Sequence, residues 1–136
     1  MKMKLMNTLV VLAAMLSTAL VMVAQSDADY QGWMKSVVGA NGKLQKGIAA
    51  KDASVAAEAT TIETVFKQVE AFWGKRNAAD AVAFAKQGHM AAAAAGKAIN
   101  AGDWDKAAAE GKNIAGTCAG CHAAHRGGEK GAFTIK

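Results

Sequence analysis

The chain has 136 residues, a formal net charge of +5 at neutral pH, and 52% hydrophobic residues. This length allows at most one globular domain once a targeting segment is removed. The basic residues are scattered and are not interleaved with aromatics, which argues against a protein that binds single-stranded nucleic acid. Proline is absent, alanine is abundant, and no strand-length stretch alternates polar and apolar residues. The composition therefore predicts an all-α protein.

Residues 1–26 have the pattern of a secretory signal peptide. Lys2 and Lys4 form a basic start, and residues 9–23 are apolar apart from Ser17 and Thr18. This apolar run is short for a membrane span and ends directly in polar residues, which favours a cleaved signal. An uncleaved N-terminal anchor helix is the alternative.

The predicted cleavage follows Ser26, with Ala24 and Ala28 as alternative sites. Because no cysteine lies near the cut, a lipid anchor is not indicated. The mature domain would span residues 27–136, and the loss of two of the 16 basic residues would leave it a formal charge of +3. We expect no stable membrane insertion after cleavage.

The first two helices are predicted over residues 29–48 and from Asp52 or Ser54 to residue 75. Either Asp52 or Ser54 could accept hydrogen bonds as the N-cap of the second. Apolar residues recur along both segments at helical spacing. The predicted inward faces are Met34, Val37, Val38, Asn41, Leu44 and Ile48 on the first helix, and Val55, Ala59, Ile62, Phe66, Val69 and Trp73 on the second.

Two further helices are predicted over residues 77–101, with Asn77 as N-cap, and over residues 103–126. Gly127 and Gly128 stop the last helix, and residues 129–136 are expected to be irregular. Four amphipathic helices with short joints predict an antiparallel up-down-up-down four-helix bundle.

The fourth helix carries Cys118-Ala119-Gly120-Cys121-His122, and its two cysteines are the only ones in the chain. A CxxC pair alone could be a redox dithiol, a local disulfide or half of a zinc site. The histidine that follows at once is required only by the CxxCH motif of covalent haem attachment. The motif therefore predicts one haem c, bound through Cys118 and Cys121, with His122 as an axial iron ligand.

His125 could complete a zinc site with the CxxCH residues, but contiguous Cys and His ligands fit a tetrahedron poorly. His89 is expected mid-helix, too far from the predicted haem to reach its iron. We expect both histidines at the surface or its boundary.

The up-down topology brings further residues to the end of the bundle that holds His122. Met34 comes to this end from the first helix, and Phe72 and Phe84 come from the second and third. We expect these two phenylalanines to form walls of the haem site, and Phe66 and Trp104 to fill the core. The alanine-rich third and fourth helices bury little apolar area themselves, which leaves space for a cofactor.

With the haem motif on the last of four helices, the mature chain resembles the class II c-type cytochromes, the superfamily of cytochrome c prime. The specific matches are Cys118, Cys121, His122 and Arg126, and Met34 falls where that family places the residue over the distal face of the haem. Gly42-Lys43 matches a later pair. Two residues depart from the family pattern. The family usually has an aromatic residue at the position of His125 and often has an arginine at the position of Tyr30.

The resemblance implies a periplasmic monohaem cytochrome that carries single electrons between transient redox partners, and a homodimer is compatible with it. Met34 is the favoured sixth ligand. The alternative is a five-coordinate protein that binds NO or CO, with Met34 only covering the haem. The sequence offers no Ser/His/Asp set or catalytic carboxylate pair, so we do not expect an enzyme.

Overall fold

The computed structural model describes residues 25–136, and the predicted signal peptide lies outside the described residues apart from Gln25 and Ser26. Four α-helices in this part of the chain pack against one another, which confirms the prediction of an all-α, four-helix architecture. No helix within residues 25–136 is long and apolar enough to cross a membrane. The helices are α1 (Asp27–Ala50), α2 (Ala56–Lys75), α3 (Ala79–Asn100) and α4 (Trp104–His125), and a 3₁₀ turn (Ala53–Val55) precedes α2.

Helix α1 begins two residues earlier than predicted because Ser26 and Asp29 form a capping box. The Ser26 hydroxyl accepts a hydrogen bond from the Asp29 amide at 3.1 Å, and the Ser26 amide donates to the Asp29 carboxylate at 2.9 Å. Two amides that the helix itself leaves unpaired are thereby satisfied. The helix ends at Ala50, and Lys51 caps it in the left-handed conformation with φ 55°.

The joints differ from the prediction at two helix starts, since neither α2, which begins after Val55, nor α3 has a side-chain cap. Asp52 accepts from the Ser54 amide and caps the 3₁₀ turn, and Asp103 accepts from the Lys106 amide at the start of α4. The prediction that Asn77 caps α3 is wrong. Asn77 instead takes a left-handed conformation with φ 56°, which asparagine tolerates better than most residues, and α3 begins after Ala78 without a side-chain cap.

Contacts between neighbouring helices show that they run antiparallel. Arg76, just after α2, lies 2.6 Å from Asp27 at the start of α1. His125 at the end of α4 lies 2.8 Å from Asp80 at the start of α3. The start of α1, the end of α2, the start of α3 and the end of α4 therefore meet at one end of the molecule, which we call the upper end.

The core is unevenly filled. Its largest fully buried side chains are Phe72, Leu44, Ile62, Ile99 and Ile114, whereas the buried residues of α3 are alanines and a glycine apart from Ile99. Gly88 allows the Phe66 ring to approach α3, since a Cβ there would lie 3.1 Å from the ring. Large side chains of α2 thus pack against small side chains of α3, which leaves free space nearer the upper end.

The C-terminal tail, expected to be irregular, folds back on the end of α4. Helix α4 ends at His125, and β1 (Arg126–Gly127) pairs antiparallel with β2 (Thr134–Ile135). The reversal passes through Gly128 with φ 74° and Gly131 with φ 94°, a backbone region that glycine enters without steric cost. Gly127 and Gly128, predicted only to stop α4, are therefore also part of a short hairpin, together with Gly131.

Candidate functional site

A cavity of about 250 Å³ lies near the upper end, with walls from all four helices. Most of its lining is apolar, and the CxxCH residues form one side of it. The lining residues are Tyr30, Met34, Val37, Val38, Asn41, Gly42, Phe66, Val69, Phe84, Ala85, Thr117, Cys118, Cys121 and His122.

Helices α1 and α4 stand in a register that places Met34 level with His122. The Gln45 amide donates to the Gly111 carbonyl at 3.1 Å, which fixes one point of this register. Met34 lies eleven residues before Gln45, and His122 lies eleven residues after Gly111. Because the helices are antiparallel with equal rise per residue, these two side chains reach the cavity at about the same height.

Cys118, Cys121 and His122 project from consecutive turns of α4 into the cavity. Cys121 is buried, Cys118 and His122 are half-buried, and the two thiols are not joined in a disulfide. One helical turn separates Cys118 from His122, so the two thiols and the imidazole form a single cluster on one wall. The sequence-predicted attachment residues are thus brought together by the helix itself.

Burial sets the protonation of this cluster. Burial raises the pKa of the Cys121 thiol to about 11, with Asp80 and Cys118 adding to the effect, and burial also raises the pKa of the Cys118 thiol. Burial lowers the pKa of the His122 imidazole, and the Arg126 cation lowers it further. Both thiols are therefore protonated at neutral pH and the imidazole is neutral, which is the form that binds metals. A nucleophilic redox dithiol needs the opposite shift in thiol pKa.

Phe84 forms the wall of the cavity next to the CxxCH motif, as predicted for a residue of the third helix. Its ring packs directly on Gly120, where a Cβ would lie 2.5 Å from the Phe84 Cε1 atom. The glycine between the two cysteines therefore decides how closely the ring can approach them.

The structure places the other predicted site residues differently. Phe72 is fully buried and is not among the lining residues, because its ring stacks on that of Tyr30 at 4.5 Å between centroids. Arg126 is exposed just after α4, and its guanidinium lies 4.4 Å above the centre of the Phe133 ring. Phe66, expected only to fill the core, is buried and also lines the cavity.

Two lining residues on α1, Tyr30 and Val38, differ from what was predicted for them. Tyr30 appeared only as a departure from a family pattern, although its position one turn before Met34 puts it on the same helix face. Val38, predicted to point inward, is 70% exposed and lies at the edge of the cavity. Residues 34, 37, 38 and 41 were predicted on the inward face, so the spacing of Tyr30 from Met34 was the signal that could have added it.

The histidines outside the motif have their own partners. His125 pairs with Asp80 and packs its ring against Trp73 at 4.7 Å between centroids, and His89 lies 2.9 Å from Glu70. Among residues 25–136, no three or more His, Cys, Asp or Glu side chains are grouped so that they could hold a metal ion. The geometry of the described chain therefore does not support the zinc site considered for His125.

The lining combines sulfur and nitrogen donors with apolar walls. Two thiols and a neutral imidazole stand on α4, a thioether stands on α1, and Phe66, Phe84 and Val69 supply apolar walls. The cavity of about 250 Å³ is slightly smaller than the ~300–1,000 Å³ typical of ligand pockets. No family model matches the sequence, and no curated protein or solved structure matches it either.

Proposed function

We propose that the protein is an exported c-type cytochrome that carries single electrons, with one haem held covalently in the cavity between α1 and α4. One observation supports this proposal above the others. The cavity has both thiols and the imidazole of a CxxCH motif on one side and the Met34 thioether at the same height on the other. A dithiol or a disulfide would leave the placement of His122 and Met34 unexplained.

Each residue of the motif has one task in this proposal. Cys118 and Cys121 would hold the haem through thioethers, each formed by addition of S–H across a vinyl group with sulfur on one carbon and hydrogen on the other. His122 would hold the iron through its neutral imidazole nitrogen. No oxidant is needed for the attachment, because both thiols enter the addition reduced.

Met34 and the apolar walls tune the site. Met34 offers a thioether to the sixth position, and a Met/His pair tends to raise the reduction potential of the iron. Phe66 and Phe84 exclude water from the interior of the cavity. When bound, the haem supplies the one-electron change between ferric and ferrous iron.

The exposed edge of the cavity is the proposed site of electron exchange in the periplasm. Val38 is 70% exposed there, so a partner could approach the cofactor without any opening of the bundle. Transient redox complexes use small interfaces, and the modest formal charge expected for the mature chain favours weak, salt-dependent contacts. The partners we propose are therefore small redox proteins that bind briefly.

The first test is covalent attachment. The wild type and the double variant Cys118→Ala, Cys121→Ala should be expressed with their export signal in a host that matures c-type cytochromes. We expect the wild type to keep its pigment on a denaturing gel and through acid acetone extraction, and the double variant to lose it. A colourless wild-type protein with two titratable thiols would contradict the proposal.

The second test is the sixth ligand, with Met90→Ala as the matched control, because Met90 is 58% exposed and lies outside the cavity. In the ferric wild type we expect a low-spin spectrum with the weak long-wavelength band of Met–iron bonding. Met34→Ala should lose that band and bind CO readily, whereas Met90→Ala should keep the wild-type spectrum. A high-spin wild type with ready CO binding would instead favour the five-coordinate gas-binding protein.

A further inference from the structure

Tyr30 is the only tyrosine of the chain and stands at the cavity. It lies on α1 one turn before Met34, and only 7% of its surface is exposed. A buried phenol carries a polar hydroxyl into surroundings that otherwise hold mainly apolar side chains, which is unfavourable unless the hydroxyl is hydrogen-bonded. Its hydrogen bonds can therefore be traced one by one.

Aromatic packing fixes the position of the Tyr30 ring. The ring stacks on Phe72 at 4.5 Å between centroids and meets Trp73 edge-on at 5.7 Å. Trp33 adds a second edge contact at 6.5 Å. With neighbours on three sides, the ring has little freedom to rotate, so the direction of its hydroxyl is also set by the fold.

The Tyr30 oxygen has one protein partner, and that partner uses it as an acceptor. The Trp73 Nε1–H donates to the Tyr30 hydroxyl oxygen at 3.2 Å. An indole N–H can only donate, so the hydroxyl must direct its own hydrogen elsewhere. Among residues 25–136 the structure gives that hydrogen no protein acceptor, and it belongs to a side chain that is buried and lines the cavity.

The surroundings of the Tyr30 hydroxyl favour its protonated form. Burial raises the pKa of Tyr30, the Trp73 hydrogen bond opposes this shift, and the nearby Cys121 and Cys118 thiols raise the pKa further. The phenol is therefore neutral at physiological pH and remains a donor. Tyr30, Cys118 and Cys121 line the same cavity, so a group held by the two cysteines there would lie next to Tyr30.

We propose that the Tyr30 hydroxyl donates a hydrogen bond to an acceptor oxygen of the group bound in the cavity. This inference rests on the proposed function. The acceptor chemistry is a partly or fully negative oxygen, and it has two sources: a carboxylate of the haem, or the oxygen of a diatomic ligand on the iron. Tyr30 thereby becomes a positioning residue that sets either the charge of the cofactor edge or the binding of the ligand.

The test uses Tyr30→Phe, which removes the hydroxyl and keeps the ring. Trp33→Phe is the matched control, because it changes a neighbouring ring that makes no hydrogen bond to Tyr30. Covalent haem, measured by staining a denaturing gel, should be unchanged in both variants. Loss of this stain from the wild type as well would overturn the proposed function and not the tyrosine assignment alone.

The two sources are separated by two measurements on the coloured proteins. If the acceptor is a carboxylate, Tyr30→Phe should raise the pKa of that carboxylate, because the charged form loses its hydrogen-bond donor. The pH at which the midpoint potential begins to decrease should then rise by ~1–2 pH units. If the acceptor is a bound ligand, the N–O stretching frequency of the ferrous nitric oxide adduct should shift instead. Trp33→Phe should change neither quantity.

Unchanged potential and unchanged N–O stretch in a folded, fully loaded Tyr30→Phe protein would overturn the inference. If Tyr30→Phe fails to fold, the wild type decides the question alone, since a single tyrosine gives an unambiguous ultraviolet resonance Raman signal. We expect that signal to report a donating hydroxyl that is shielded from exchange in the holoprotein. A signal typical of a phenol donating to bulk water would reject the hydrogen bond.

Discussion

Gly120 brings α4 close to Phe84 because it has no side chain. A Cβ at this position would lie 2.5 Å from Cε1 and 2.8 Å from Cζ of the Phe84 ring. Carbon atoms normally approach to ~3.5–4.0 Å, so the ring or the helix would have to move by about 1 Å. Since Phe84 is half-buried, its displacement should cost about 1–3 kcal/mol, as overpacking usually does.

Gly116 is the matched control, one turn earlier on the same helix. It is exposed, and no atom would lie within 4 Å of a Cβ there. Both Gly116→Ala and Gly120→Ala gain about 0.8–1.0 kcal/mol of helix propensity. This term cancels in the comparison, so Gly120→Ala should be about 1–3 kcal/mol less stable than Gly116→Ala.

Urea denaturation of the two variants, with both in the same haem state, measures this difference. For a domain of about 100 residues, 1 kcal/mol corresponds to ~4–8 °C in Tm, so thermal melts should show it too. In a Phe84→Ala background, Gly120→Ala should stabilise as much as Gly116→Ala does. Equal stability of the two glycine variants in the wild-type background would refute the steric argument.

Three further predictions concern the ends of the helices and the proposed partner surface. A chain that starts at Asp27 lacks the Ser26 cap, so its free energy of unfolding should be about 1 kcal/mol lower than that of a chain that starts at Gln25. Equal urea midpoints would contradict the capping box. Hydrogen bonds from Ser26 hold the pKa of Asp29 below its ordinary value, so their contribution is present above that ordinary value and is lost as the pH falls through the lowered native pKa. Asp29→Asn should therefore flatten the acid limb of the stability curve, which acid titration followed by circular dichroism would measure. Charge reversal at Arg126, near the proposed haem, should change the low-salt electron-transfer rate more than reversal at Lys106 near the opposite end, and stopped-flow rates that respond equally would argue against the proposed surface.

Local sequence signals determined the helices and the attachment cluster. Helix propensity, apolar spacing and capping residues act over a few positions, so they predicted four helices whose ends differ from the observed ones by only a few residues. The CxxCH spacing is equally local, because one helical turn suffices to bring Cys118, Cys121 and His122 onto one wall. The antiparallel packing followed from the short joints.

Only the tertiary structure decided which aromatic rings meet the cavity. Apolar periodicity shows that a helix face is buried, but it does not show against what, because that depends on the rotation of each helix about its axis. Phe66 and Phe72 are both buried on α2, yet Phe66 lines the cavity while Phe72 packs against Tyr30. The sizes of the side chains on the neighbouring helices decide which of the two rings lines the cavity. The sequence of α2 alone therefore does not predict it.

The same limit applies to Tyr30 and to the C-terminal hairpin. Trp73, which donates to the Tyr30 hydroxyl, is 43 residues away in the chain. This hydrogen bond therefore forms only when α1 and α2 pack, and the sequence alone does not predict it. The pairing of residues 126–127 with residues 134–135 likewise needs the end of α4 as a support. The sequence by itself determined the four helices and the cluster of Cys118, Cys121 and His122. The packing of the helices decided which side chains surround that cluster, because those contacts join residues that are distant in the chain.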